Sequence, residues 1–326
     1  MKITFFSPCL GLRGTEVTMY DYAFYGRQFF NWDVNILYNK NHPLNDITAI
    51  DKFKNQFDVF SISASVENMQ DCNHKVENFL SNQLDKSDFF YVQKKGLNDG
   101  LCPKNVKTCI LCCSIVDPKK EKHGDSYAFI SDWLSDFCSD GEVPVVPSII
   151  DLPDINENMR QELNIPLDGI VFGRTGGMDT WNISFTNHVI AKILNEKKNI
   201  YFLFQNTPKI FNHPNVIYLP TTADLNFKTR FINTCDAFLH SRLEGESFGV
   251  ACGEFSIRNK RVITYGGSPE RNHICILKDK ALYYNNGLEL YKIIQEFKID
   301  NSKDWNCYKD FNPRRVMDQF KKNFIK

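Results

Sequence analysis

The chain carries no surplus of charge: 39 Lys and Arg stand against 39 Asp and Glu in 326 residues. A broad face for nucleic acid needs a basic excess, so that class is set aside, a local patch excepted. No apolar run approaches the ~18 residues of a membrane-crossing helix. No secretory leader is visible at the amino terminus, where residues 3–7 read as a buried strand. The expectation is a cytoplasmic protein without a transmembrane segment. The glycine fingerprint G-x-G-x-x-G is missing, which argues against a nicotinamide-linked oxidoreductase. There is no short internal repeat and no low-complexity linker. Cysteine is not scarce, but its 11 copies are odd in number and scattered through apolar segments, as reduced thiols would be. Cys109, Cys112 and Cys113 lack a second ligand pair at zinc spacing and sit in an apolar run, so they read as a packed strand and no metal is expected.

What is present is apolar bulk. Hydrophobic residues make up 42% of the chain, with 27 Phe and 13 Tyr, enough for two cores at this length. Short apolar runs at 3–7, 33–38, 57–61, 89–92 and 107–114 alternate with polar or helical stretches, as in a parallel sheet with crossover helices. A helix is expected at 78–84. After the first run comes a loop, Gly11 to Glu16, in which Gly14 permits close backbone approach. A second series of strands is expected at 169–173, 200–204, 216–219, 237–239 and 261–265, with helices at 156–163, 187–194, 227–235 and 313–325. The fold class is therefore α/β, with a boundary near Leu152: one doubly wound domain over 1–151 and another over 152–326.

Residues 240–255, HSRLEGESFGVACGEF, stand out. They follow a strand and enter a helical pattern that runs to about Arg258, with Ser247 a candidate N-cap. A helix start leaves amides unpaired and carries partial positive charge, which suits phosphate oxygens. Glu246 and Glu254 form E-x7-E, roughly 12 Å apart if both lie on one helix. That distance suits one carboxylate on a sugar and the other on a ribose.

His240-Ser241-Arg242, Glu246-Ser247-Phe248-Gly249 and Glu254 resemble the signature of family 4 of the retaining glycosyltransferases with the GT-B fold. The resemblance extends to the loop at Gly14, to the turn at Arg174, to Gly266-Gly267-Ser268-Pro269-Glu270 and to Pro147–Asp151, the expected interdomain connection. It departs at Arg13, where the family has glycine, and at Asp179, where the family has lysine. It implies two Rossmann-like domains facing across a cleft, the first for acceptor and the second for donor. The last helix would cross back to the first domain.

The implied activity moves a sugar from a nucleoside diphosphate sugar, UDP or GDP favoured, to a hydroxyl of a glycan, lipid or small molecule, with retention. The donor is a substrate, and no further cofactor is expected. Arg174 would touch a phosphate, with Gly14, Arg242 and the amides of Ser247, Phe248, Gly249 and Val250 completing the donor site. Glu254 would take the ribose diol and Glu246 the sugar hydroxyls. His123, chosen over His42 and His74, would be the catalytic histidine of the first domain. No Asp-x-Asp metal motif is present. Basic residues in the last helix leave peripheral membrane contact open. Two other readings stand beside this one: a nucleotide-sugar epimerase of the same build, and a catalytically silent nucleotide-sugar-binding or partner subunit.

Overall fold

The computed structural model describes residues 1–325, which divide into two compact units: Met1–Ile149 with the segment from Phe311, and Ile150–Asp310. The first unit runs β1 (Lys2–Ser7), α1 (Gly14–Phe30), β2 (Asp33–Asn39), α2 (Ile47–Lys54), β3 (Asp58–Ile62), α3 (Met69–Ser81), β4 (Phe89–Lys94), β5 (Lys107–Cys112), α4 (Pro118–Glu121), β6 (Ser126–Phe129) and α5 (Asp132–Ser139). Its strands form one parallel sheet in the order β3-β2-β1-β4-β5-β6.

The second unit runs β7 (Ile170–Arg174), α6 (Ser184–Glu196), β8 (Ile200–Gln205), β9 (Val216–Leu219), α7 (Leu225–Thr234), β10 (Ala237–His240), β11 (Gly245–Glu246), α8 (Val250–Ile257), β12 (Arg261–Tyr265), β13 (Glu270–Arg271), α9 (Asn272–Leu277), β14 (Leu282–Tyr284) and α10 (Gly287–Glu296). Its six-stranded parallel sheet has the order β14-β12-β10-β7-β8-β9, and β11 pairs with β13 beside it. Both sheets have the doubly wound pattern, in which strand order reverses once and a crevice opens at the carboxyl ends of the strands flanking the reversal. The reversal falls between β1 and β4 in the first unit and between β7 and β10 in the second.

The last helix, α11 (Pro313–Phe324), returns to the first unit. Asn312 caps it by accepting from the Arg315 amide at 3.1 Å, and Pro313 occupies the first turn, where its missing N–H costs nothing. Its apolar stripe of Val316, Met317, Phe320 and Phe324 is buried. The Phe320 ring lies 5.0 Å from Tyr22, 5.5 Å from Trp32, 5.5 Å from Tyr91 and 6.3 Å from Phe5. It thus joins α1, β1 and β4 through one aromatic cluster.

Several boundaries differ from the sequence expectation. Residues 156–163 form turns, not a helix: the Met159 amide donates to Thr234 Oγ1 at 2.8 Å and Arg160 pairs with Asp236 at 2.7 Å, so tertiary partners take the place of a helical ladder. The helix expected at 78–84 begins nine residues earlier, at Met69, where Asn68 accepts from the Asp71 amide. Arg174 belongs to β7 itself, not to the turn after it. Gly173 precedes it for lack of room: a Cβ there would come within 2.3 Å of Cys235 Sγ.

Replacing Phe320 by Ala removes the ring that these four aromatics share. Urea unfolding should show a loss of about 3–5 kcal/mol, whereas Arg314→Ala on the exposed side of α11 should change stability little.

Candidate functional site

The crevice of the second sheet lies where β7 and β10 part. Arg174 ends β7 and His240 ends β10, so the reversal places them side by side at the carboxyl edge. Arg174 is 3% exposed. Its Nη1 donates to Asn206 O at 2.6 Å and Thr207 Oγ1 at 2.8 Å, and its Nη2 to Gly177 O and Thr180 Oγ1, both at 2.8 Å. All four acceptors are neutral. The fork is spent on bracing the loops after β7 and β8, but its charge is not cancelled by a hydrogen-bonded carboxylate. Burial lowers the guanidinium pKa to about 10, while the charges of Glu246 and Asp179 oppose that fall. The expected direct phosphate contact by Arg174 is corrected to this extent: a phosphate would have to displace one of those acceptors. Asp179, in a single 3-10 turn over Met178–Thr180, brings negative charge where the resemblance implies a lysine.

The 240–255 string folds as a loop, a two-residue strand and a helix. Ser241 Oγ bonds Thr186 Oγ1 at 2.8 Å, and Asn182 Oδ1 accepts from the Leu243 amide at 2.8 Å. Gly245 has φ +79°, and a Cβ there would fall 2.1 Å from Glu270 O, so no other residue fits the β11–β13 pairing. The helix does not start at Ser247. It starts at Val250, after Gly249 at φ +95°, and Gly249 is the N-cap without any side-chain cap bond. A left-handed residue cannot lie within a right-handed helix, which is why the Ser247 cap fails. Glu246 therefore sits on β11, not on α8, and the separation along one helix does not apply to it. The first amides of α8, beginning with Val250, have no intrahelical acceptor. Phe255 stacks on Phe238 with ring centroids 4.4 Å apart and fixes α8 against β10.

Glu246 is held from two sides. His240 Nε2 lies 3.0 Å from its Oε1, and Arg242 Nη1 donates to its Oε2 at 3.0 Å. Burial raises its pKa, but the His240 hydrogen bond and the Arg242 charge outweigh burial and bring it down to about 2. Arg242 also approaches Glu244, at 3.7 Å, so it both braces the loop and charges the site. His240 is a satisfied, buried histidine, as its place at a strand end suggests, yet one of its partners is the carboxylate itself.

Glu254, on α8, is 4% exposed and bonds Lys228 Nζ at 2.6 Å through Oε1. Lys228 lies in the first turn of α7, 26 residues earlier. Sequence reasoning missed it, because nothing local distinguishes it from a surface lysine.

In the first unit, Gly14 opens α1 at the carboxyl end of β1, beside the other strand reversal. His123 is elsewhere. It lies on the chain entering β6, where the neighbouring Asp125 amide donates to Thr108 O near the start of β5. The backbone there is at the amino end of β6, while the ring feels the charges of Lys94, the last residue of β4, and of Asp99. His123 Nδ1 is 2.6 Å from Glu121 O, its Nε2 is buried without a partner, and burial lowers its pKa. His123 thus stands on the approach to the edge strand β6, not beside the β1/β4 reversal where Gly14 lies. His42, in the loop leaving β2, is the histidine on the carboxyl edge. Burial, and then the positive charge of Arg13, lower its pKa.

Among the described residues, no group of three His, Cys, Asp or Glu is placed to hold a metal ion, and no helix is long and apolar enough to cross a membrane.

Comparison of the sequence with protein-family profiles and with curated proteins finds no match. Solved structures do match. HepE of Anabaena in complex with UDP and glucose superposes with a TM-score of 0.72 at 13% identity, over 99% of this chain and 98% of that one. Sucrose-phosphate synthase of Thermosynechococcus elongatus gives 0.70 at 12%, over 98% and 94%. WaaG, a glycosyltransferase involved in lipopolysaccharide biosynthesis, gives 0.66 at 10%, over 97% and 98%. The fold is that of the GT-B glycosyltransferases, over the whole described chain.

Two outcomes follow from the buried charges. Lys228→Met should cost about 3–5 kcal/mol in urea unfolding, because it strands Glu254 without a partner, and Glu254→Met added to it should recover much of the loss. His273, in α9, is fully buried, and burial lowers its pKa to about 3. Its unfolded form takes up a proton near pH 6.5 while the folded form does not, so its contribution is intact above pH 6.5 and declines toward pH 3. Within that window wild-type stability should fall with a steeper slope than that of His273→Gln, by up to about 1.4 kcal/mol per pH unit.

Proposed function

We propose that the chain transfers a sugar from a nucleoside diphosphate sugar to an acceptor hydroxyl, with retention at the anomeric carbon. One observation carries this reading. The β7/β10 reversal gathers a buried arginine whose hydrogen bonds go to neutral groups, a helix start opened by a left-handed glycine, and two carboxylates with half-buried cationic partners. Positive potential at fixed groups is what a departing diphosphate requires. HepE, whose fold matches, forms complexes with UDP and glucose and with UDP-glucose.

In this scheme the anomeric carbon parts from the diphosphate oxygen and bonds the acceptor oxygen, whose proton passes to the departing diphosphate. The α8 amides at Val250 and beyond receive phosphate oxygens, with the backbone of Ser247, Phe248 and Gly249 leading into them. Arg174 contributes charge from behind the loops it braces. Glu246, ionised, accepts hydroxyl protons of the donor sugar. Glu254 keeps Oε2 for a ribose hydroxyl while Oε1 stays with Lys228. Charge stabilisation is assigned to these groups, and a divalent ion is given no part. UDP and GDP sugars are the favoured donors, and the acceptor is a carbohydrate or another hydroxyl compound. Gly14 and His42, on the carboxyl edge of the first sheet, are the acceptor-side candidates. A cytoplasmic location fits this chemistry, because nucleotide sugars are the substrate.

A catalytically silent nucleotide-sugar binder is the second reading. The saturated Arg174 fork and the acidic Asp179 favour it.

Thermal unfolding with UDP, GDP, ADP and dTDP sugars tests the donor site. A donor at 100 times its Kd should add about 2.7 kcal/mol of stability and raise Tm. If no donor shifts Tm, the reading fails. With the donor found, slow hydrolysis or transfer that disappears in Glu246→Ala separates the enzyme from the silent binder. The anomeric configuration of the product, read by proton NMR, decides retention.

A further inference from the structure

Behind Glu246 a chain of hydrogen bonds runs across three elements. His240 ends β10, and Thr264 is its direct partner on β12. His240 Nδ1 lies 2.8 Å from Thr264 Oγ1, which lies 3.1 Å from His273 Nε2 on α9. His240 is 5% exposed, while Thr264 and His273 are fully buried. The imidazole centroids are 5.1 Å apart. His273 Nδ1 is buried and has no partner.

The direction of this chain follows from its exposed end. An ionised carboxylate only accepts, so the proton facing Glu246 must be on His240 Nε2. In a neutral ring Nδ1 is then an acceptor, and the Thr264 hydroxyl must donate to it. The hydroxyl oxygen is left to accept from His273 Nε2–H, and His273 Nδ1 is left bare. His273 Nδ1 has no partner in the structure, so the carboxylate end alone sets the direction. The reverse direction would set the His240 Nε2 lone pair against the carboxylate. Burial keeps His273 neutral far below the ordinary histidine range, which preserves the same direction.

We propose that Thr264 and His273 are positioning residues: they fix His240 in its neutral Nε2–H tautomer, and so hold Glu246 as an oriented, ionised acceptor for donor-sugar hydroxyls. The sugar contact rests on the proposed function; the tautomer assignment does not. The charged and titratable groups facing Glu246 are His240, Arg242, Arg174, His273, Glu270, Cys252 and Tyr308. Among them only His240 hydrogen-bonds both Glu246 and Thr264.

Nitrogen-15 NMR of histidine-labelled protein reads each tautomer directly. At pH 8, His240 and His273 should both show neutral Nε2–H patterns, and His273 should keep its pattern down to pH 6. In Thr264→Val, His240 loses its donor and should show mixed tautomers at the same pH, and Thr264→Ser should restore the wild-type pattern. On the functional side, Thr264→Val should raise the donor-sugar KM about tenfold and leave the Kd for the nucleoside diphosphate unchanged, since the loss falls on one hydrogen-bonded carboxylate. A merely structural defect would weaken both. Wild-type His240 carrying its proton on Nδ1, or on both nitrogens, at pH 8 overturns the proposal. So does Thr264→Val with an unchanged tautomer and donor KM. A wild-type protein that binds no nucleotide sugar defeats the proposed function instead, and the NMR patterns still decide the relay.

Discussion

Glu246 is gripped from opposite sides by the imidazole of His240 and the guanidinium of Arg242, and the carboxyl edge of the second sheet is arranged around that grip. Burial alone would drive the carboxyl toward neutrality. Two donors, one of them a cation, reverse the balance. Each donor is itself constrained. Arg242 sits in a loop pinned through Asn182, Ser241 and Glu244, while His240 is locked behind by Thr264 on the neighbouring strand. The loop conformation, the pairing of β10 with β12 and the position of α9 therefore all serve one carboxylate.

Other buried charges of this unit fall into two kinds. Arg160 with Asp236, and Lys228 with Glu254, are paired, and such pairs chiefly specify an arrangement, since removing one partner costs far more than the pair contributes. Arg160 fastens the segment leading into β7 to the start of β10 in this way. Arg174 is of the other kind. Its bonds go to carbonyls and hydroxyls, so it shapes two loops while leaving positive potential at the strand reversal. A structural arginine would more economically meet a carboxylate. One that meets only neutral groups is suited to an anion that arrives and departs.

Glycine decides where the backbone can go at this edge. Gly173 admits Cys235, Gly245 admits Glu270, and Gly249 turns the chain into α8. Each is the absence of a side chain used for close approach, and each lies within a few residues of a charged group named above. The first unit uses the same sheet order with different contents: an exposed Arg13 and Gly14 at the opening of α1, and His42 on the loop after β2.

The sequence by itself determined the two α/β halves, the amphipathic last helix and the stretch in which the candidate site would lie. Those are legible because alternating apolar runs, helix-period stripes and the 240–255 string are local patterns, each carried by neighbouring residues. Tertiary structure alone decided the rest. Ser247 looked like a cap until Gly249 moved the helix start to Val250. Asn156 to Leu163 looked helical until Thr234 and Asp236 claimed its polar groups. His123 and His42 both stand in polar loops, and only the strand order tells which loop adjoins the β1/β4 reversal. Lys228 with Glu254, and His240 with Thr264 and His273, join residues that are 26, 24 and 9 positions apart. Such partnerships depend on which strands pair and which helix faces which strand. A one-dimensional pattern does not encode those distances until the sheet has formed.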